Sequence, residues 1–253
     1  MPPPEPAASV RRTGDVIVIP GDYQHRALTQ GPPIQRFWHR SKLNLLDWFF
    51  VPATGEKILD VGCGSGVFSD AMASRGARVL SVDANADAIA YATKTFARDG
   101  MEVRRGYLDE LSLPDASFDA ATVLEIIEHV YIDQVRKLLA DLRRVIKPGG
   151  RLLITTPNYR GLWPMIEWLT DRFSKAAHMH EDQHVLHFRR KMLRDVLLEA
   201  GFEIVSLRTY CTFAPFLAAV STGLANATER LERKIDLPFG NLLAVVARRP
   251  VAS

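Results

Sequence analysis

The sequence predicts an α/β fold, an open and mostly parallel sheet with helices on both faces. Three observations carry that expectation. From Lys57 onward, short apolar runs alternate with segments of helix length and helical periodicity. The first run, Lys57-Ile58-Leu59-Asp60-Val61, breaks into Gly62, Gly64 and Gly66, and the next, Val79-Leu80-Ser81-Val82, ends on the carboxylate of Asp83. A strand, a glycine turn and an acid closing the second strand outline a nucleoside crevice at the carboxyl ends of the strands.

The elements follow in order. Residues 1–20 open with Met1-Pro2-Pro3-Pro4-Glu5-Pro6 and have no apolar core, so they read as a disordered tail ahead of a single domain at 21–253. Residues 21–50 carry Phe37, Trp38, Leu43, Leu45, Leu46, Trp48, Phe49 and Phe50 and read as one or two helices, either a lid over the crevice or a flank of the sheet. Strands are expected at 57–62, 78–83, 102–106, 118–124 and 151–156, with helices at 67–75, 87–98 and 132–145 between them. A helix at 191–200, stopped by Gly201, and strands at 202–209 and 241–248 complete the sheet. Two insertions, 158–188 and 210–240, exceed ordinary connections, and their apolar and aromatic content argues for folded, functional segments.

Composition narrows the function. With 47% apolar and 24% charged residues the chain reads as a soluble globular protein, and a net charge of +3 demands no nucleic-acid partner. The two cysteines, Cys63 and Cys211, are too few for a disulfide scaffold, which fits a reducing cytoplasm. The longest apolar stretch, 212–224, contains Pro215 and falls short of the ~20 residues of a membrane span. Nothing in the sequence speaks to the oligomeric state.

The glycine spacing selects the cofactor. A dinucleotide loop needs its third glycine at position 67 to bring a helix close to a pyrophosphate, and that position is Val67. The pattern is G-x-G-x-G instead, with no Lys or Arg in the loop to meet a phosphate, so a nicotinamide-dependent oxidoreductase is disfavoured. This segment resembles the cofactor loop of the class I S-adenosylmethionine-dependent methyltransferases. Two further stretches match in order: Leu113-Pro114-Asp115-Ala116-Ser117-Phe118-Asp119, which leads into the fourth strand, and Leu142 to Pro157, where Lys147-Pro148-Gly149-Gly150 separates a helix from the fifth strand. The resemblance implies a Rossmann-like, seven-stranded sheet whose last strand runs antiparallel.

It also implies the cofactor contacts. Gly62, Cys63, Gly64 and Gly66 would let the main chain approach S-adenosylmethionine, and Asp83, followed by Ala84, would bind the ribose hydroxyls. Asp60 would engage the amino end of the cofactor or fix the loop. The family's adenine-binding acid aligns with Tyr107, so Tyr107, Leu108 and Asp109 are the expected adenine neighbours, and Leu124 and Glu125 are further expected cofactor contacts. Cys63 reads as a small loop residue and not as a nucleophile.

Glu125-Ile126-Ile127-Glu128-His129-Val130 is the next constellation. If helical, Glu125, Glu128 and His129 share a face, where they could hold a divalent cation or take the proton of an acceptor hydroxyl. Here the chain resembles the ubiquinone-biosynthesis O-methyltransferases, which implies a magnesium site at those three residues. Among His178, His180, His184 and His187, the spacing matches no structural zinc pattern. His184 first and His187 second are the candidates for a general base, His187 competing with a plain anchoring role.

The insertions point to the acceptor. Leu162, Met165, Ile166, Leu169 and Phe173 recur at helical spacing beside Trp163 and Trp168, bordered by Arg160, Arg172 and Lys175. That pattern suits a lid, or a helix lying on an anionic membrane surface. Phe213, Phe216, Leu217, Val220 and Leu224 could line an apolar channel. The expected function is O-methylation of an apolar or lipid-like small molecule, with N- or C-methylation and a non-catalytic cofactor-binding partner protein as competitors.

Overall fold

Ile58 and Leu59 are neighbours on one strand yet belong to opposite sides of the molecule. The computed structural model describes residues 11–13, 16–96, 98–166 and 184–251. Its elements are β1 (Arg11–Thr13), β2 (Val16–Val18), α1 (Tyr23–Thr29), α2 (Pro33–Trp48), β3 (Lys57–Val61), α3 (Val67–Ala73), β4 (Arg78–Asp83), α4 (Ala86–Thr95), β5 (Met101–Arg105) and β6 (Phe118–Leu124). After a 3₁₀ turn at Ile127–His129 come α5 (Ile132–Val145), β7 (Ile146–Pro157), α6 (Arg190–Glu199), β8 (Glu203–Tyr210), α7 (Ala214–Leu217), α8 (Thr222–Glu232) and β9 (Leu242–Arg248).

The seven-stranded sheet has the order β5-β4-β3-β6-β7-β9-β8. Strands β3 to β7 pair parallel, and β9, the last, runs antiparallel between β7 and β8. Because side chains alternate across a strand, Leu59, Val61, Leu80, Val82, Ala121 and Val123 meet α5 and α6 through Val135, Leu139, Leu142, Leu193 and Leu197. Ile58, Val79, Ala120 and Leu153 meet α2 and α3 through Leu46, Phe68 and Met72 on the opposite face. Both faces are dry, which is why β3 reads as a continuous apolar run.

The doubly wound sheet expected from the sequence is therefore present. The chain order reverses direction at β3, with β4 on one side and β6 on the other, and this switch point places the glycine turn and the 125–129 segment side by side. Some details differ from expectation. Arg11–Thr13 and Val16–Val18 pair antiparallel as a separate two-stranded sheet inside the stretch read as a tail. β7 begins at Ile146, because the Pro-Gly-Gly turn stays within the ladder across a register shift beside β6.

The second insertion folds as α7 and α8 and is tied down by two buried acids. Glu232 accepts the N–H groups of Thr212, Phe213 and Ala214, and Glu229 accepts both contacts from the Asn44 side chain on α2. Of the first insertion, Trp163 is buried against Trp38, their rings 5.1 Å apart, and Ile166 packs on the same cluster. Trp168, Leu169, Arg172, Phe173, Lys175, His178, His180, Glu181 and Asp182 lie outside the described residues, so most of the predicted apolar stripe does too. Among the described residues no helix is long and apolar enough to cross a membrane.

Candidate active site

The glycine turn after β3 is left-handed at each glycine, with φ of 72° at Gly62, 51° at Gly64 and 81° at Gly66. Side-chain-bearing residues avoid that region. At Gly64 a Cβ would also lie 2.1 Å from the Gln24 side-chain amide, which would have to swing away. Asp83 closes β4 and receives the Gly64 N–H on Oδ2 and the Asn85 N–H on Oδ1, each at 2.8 Å. Burial pushes its carboxyl above the usual range while these N–H groups oppose the shift. Each oxygen keeps a lone pair for a further donor such as a ribose hydroxyl.

Asp60 faces the other way. Its carboxylate takes the Ser69 hydroxyl at 2.5 Å and the Thr122 hydroxyl at 2.6 Å and is only 2% exposed. It pins the turn to α3 and β6. Of the two roles read from the sequence, fixing the loop is the one this geometry displays. Burial pushes its pKa up to about 6 against those hydroxyls. Cys63 is buried with its thiol pKa pushed well up, first by burial and then by Asp60 and Asp83, which suits the inert role expected of it.

Beyond β5, Tyr107 is 41% exposed and Leu108 is buried. Tyr107 donates its N–H to Glu110. Asp109 is ion-paired with Lys137 of α5, which holds its carboxyl below the usual range. Ala84 lends its carbonyl to Arg105, and Leu124 ends β6 partly buried. Two residues in this region were not read from the sequence. Gln24 Oε1 accepts the Ser65 N–H at 2.8 Å, and His25 donates its N–H to the Ser65 hydroxyl while its Nδ1 lies 2.6 Å from the Tyr91 hydroxyl. Thus α1 sits directly on the glycine turn, and no local sequence signal joins residues forty positions apart.

On the other side of the switch point, the expected helical face of Glu125, Glu128 and His129 does not form. Glu125 is itself left-handed, with φ of 55°, and only Ile127–His129 makes a helical turn. Glu125 takes the Thr155 hydroxyl at 2.7 Å and lies 3.6 Å from Lys42 of α2. Glu128 is 1% exposed, accepts from the Thr156 hydroxyl at 3.0 Å, and has its Oε1 3.8 Å from His129 Nε2. Burial, then the charge of Glu125, pushes its carboxyl well up.

The first insertion returns to this point. Val185 and Leu186 both donate N–H to the Glu128 carbonyl, which brings the His184 ring to 4.9 Å from the His129 ring. Tyr159, at the end of β7, places its hydroxyl 2.8 Å from His184 Nδ1, and its ring stacks at 4.1 Å on His187. Ligand atoms of Glu128, His129 and His184 all lie within 4.8 Å of one another, and Glu128 Oε1 has no hydrogen-bond partner among the described residues. Glu125, a member of the expected metal set, is not part of that group. His184 takes its place because the insertion, and not a helical face, completes the cluster.

The switch point thus carries a glycine turn and the Asp83 carboxylate on one flank and the Glu128, His129 and His184 cluster on the other. Residues 59–154, which hold the glycine turn, Asp83 and the 125–129 segment, match the methyltransferase domain family, and the sheet around them is doubly wound. A protein of Mycolicibacterium smegmatis described as a probable S-adenosylmethionine-dependent methyltransferase is 29% identical over 170 residues, 67% of this chain and 61% of that protein. The mitochondrial ubiquinone biosynthesis O-methyltransferase of Schizosaccharomyces pombe is 41% identical over 108 residues, 41% of this chain and 38% of that enzyme. The chain spans less than two thirds of the length of these curated relatives.

Solved structures agree on the fold. A SAM-dependent methyltransferase from Archaeoglobus fulgidus superposes with a TM-score of 0.63 at 21% identity, covering 89% of this chain and 98% of that one. The cyclase SpnF superposes with a TM-score of 0.59 at 20% identity, covering 85% and 82%. A shared fold thus accommodates more than one named activity, and the reaction must be argued from the site.

Proposed function

We propose that this protein transfers a methyl group from S-adenosylmethionine to a hydroxyl of an apolar small molecule. The observation that carries the proposal is the His184 position: an imidazole held by Tyr159 and stacked beside His129, next to the C-terminal ends of β6 and β7 where the cofactor turn also opens. The residues present fit the cofactor, since Asp83 has acceptor capacity left and the three left-handed glycines bare the main chain. Bound there, S-adenosylmethionine supplies the activated methyl. The chain's own part is to align donor and acceptor, exclude water and remove one proton.

His184 is the general base of this reading, its imidazole oriented by the Tyr159 hydroxyl 2.8 Å from Nδ1. Trp163 and Trp38 wall the site against water. His187, stacked on Tyr159 and exposed, serves as an anchor of that wall. The ubiquinone O-methyltransferase relatives support oxygen as the acceptor atom, and the apolar second insertion supports a lipid-like acceptor presented from a membrane surface. As the alternative to a proton-accepting His184, a divalent cation would fit Glu128, His129 and His184 and would polarise the acceptor oxygen instead, since an imidazole nitrogen bound to a metal takes no proton. Two imidazoles and one carboxylate suit a transition metal better than magnesium.

The test is turnover with a panel of apolar phenols and catechols, read as S-adenosylhomocysteine released. Product with hydroxyl acceptors, lost in His184→Ala with cofactor affinity retained, is expected. Cofactor binding without release of S-adenosylhomocysteine from any acceptor contradicts the proposal and favours a non-catalytic binding partner.

A further inference from the structure

Beside Tyr159 the structure holds a cleft of about 550 Å3 lined by Tyr159, Arg160, Arg189, Arg190 and Lys191. Four of the five side chains are cationic. Both walls are anchored in the core. Asn158 is buried and accepts the Arg160 N–H at 3.1 Å while its own amide donates to the Gly240 carbonyl, and Tyr159 donates its N–H to the carbonyl of the fully buried Phe188, next to Arg189.

The charges are not equivalent. Arg190 is bound to Asp236 and to the Leu207 carbonyl, and Lys191 is bound to Asp195. The guanidinium groups of Arg160 and Arg189 make no ion pair and no hydrogen bond among the described residues. An exposed arginine alone is simply hydrated. Two of them on a concave surface, with no paired acid among the described residues, form a receptor for a planar or tetrahedral oxyanion, which a guanidinium meets with paired N–H donors.

The cleft shares Tyr159 with the proposed catalytic cluster, because the Tyr159 hydroxyl reaches His184 while its ring lines the cleft. We infer that Arg160 and Arg189 bind an oxyanion carried by the methyl acceptor itself, a carboxylate or a phosphate set about one tyrosine ring away from the methylated hydroxyl. This rests on the reading that His184 faces the acceptor. It replaces a wholly apolar acceptor with an amphiphilic one, anionic at the Arg160 side and apolar elsewhere.

The direct test needs no turnover. Calorimetric titration of the full chain, loaded with S-adenosylhomocysteine, with inorganic phosphate and separately with benzoate should show saturable binding of at least one. The double variant Arg160→Gln/Arg189→Gln should weaken it by about tenfold or more. Arg104→Gln, at the far edge of the sheet where Arg104 pairs with Glu102, should not. Comparing methylation of catechol with that of its carboxylate- and phosphate-bearing derivatives then distinguishes the two oxyanions, the preferred one showing a lower KM that rises in the double variant. Absence of saturable binding, or equal loss in Arg104→Gln, overturns the inference. Arginine-dependent binding without methylation of any derivative leaves the cleft standing and contradicts the O-methylation proposal instead.

Discussion

The Tyr159 hydroxyl lies 2.8 Å from His184 Nδ1, joining the end of β7 to the end of the first insertion. That contact orients the imidazole that would take the acceptor proton. Tyr159→Phe keeps the ring that stacks on His187 and removes only the hydroxyl, so the imidazole should lose its orientation and kcat should fall about ten- to a hundredfold. Affinity for S-adenosylhomocysteine should not change. Steady-state kinetics beside a calorimetric titration separates the two, and an equal loss of both would make Tyr159 a structural residue.

Metal removal gives a second expectation. If a cation sits at Glu128, His129 and His184, dialysis against EDTA should lower activity, and a transition ion such as zinc or manganese should restore it better than magnesium. Glu125→Gln should leave metal affinity unchanged, because Glu125 is engaged by Lys42 and Thr155. Full activity in the chelator assigns Glu128 and His129 to positioning alone.

Asp60 predicts a pH dependence of stability. Its carboxyl is raised from 3.8 to about 6 in the folded chain. A raised acid favours folding most when protonated, so its contribution is complete below about pH 4 and is lost as pH rises through about 6, by roughly 3 kcal/mol in all. Asp60→Asn removes the titration. Denaturant unfolding of both proteins from pH 4 to 7.5 should show the wild type losing ground to the variant as pH rises. A constant difference across that range would mean that Asp60 is not buried as described.

Glu232 predicts a loss without chemistry. Its carboxylate is 8% exposed and receives three main-chain N–H groups at the start of the second insertion. Glu232→Ala leaves those donors buried and unsatisfied, which should cost about 2 to 4 kcal/mol. Thermal unfolding measures it. A change within about 0.5 kcal/mol would show that the insertion is held by other contacts.

Much of the sheet was legible because its signals are local. Residues 118–124 and 132–145 have the bounds expected, since each apolar period ends at a clear turn or cap, and Asp83 closes β4 as the alternation predicts. The site was legible in its parts but not in its assembly. A helical reading of residues 125–130 fails because Glu125 turns left-handed to reach Thr155, a partner thirty residues away. His184 could be nominated as a base, but Tyr159 and His129 become its neighbours only when the insertion folds back onto the Glu128 carbonyl. Gln24 on the glycine turn and Ser69 and Thr122 on Asp60 are likewise long-range contacts that periodicity cannot express.

Binding of the cofactor at Asp83 is the most direct measurement. Asp83→Asn keeps the shape and one acceptor oxygen, while Asp83→Ala removes both, and neither reaches the buried core of the sheet. Hydrogen bonds to a charged group contribute ~1.5 to 3 kcal/mol each, so calorimetric titration with S-adenosylhomocysteine should show affinity falling about tenfold in Asp83→Asn and about a hundredfold or more in Asp83→Ala, with circular dichroism unchanged. Wild-type affinity in a folded Asp83→Ala protein would place the cofactor elsewhere and contradict the assignment of the glycine turn.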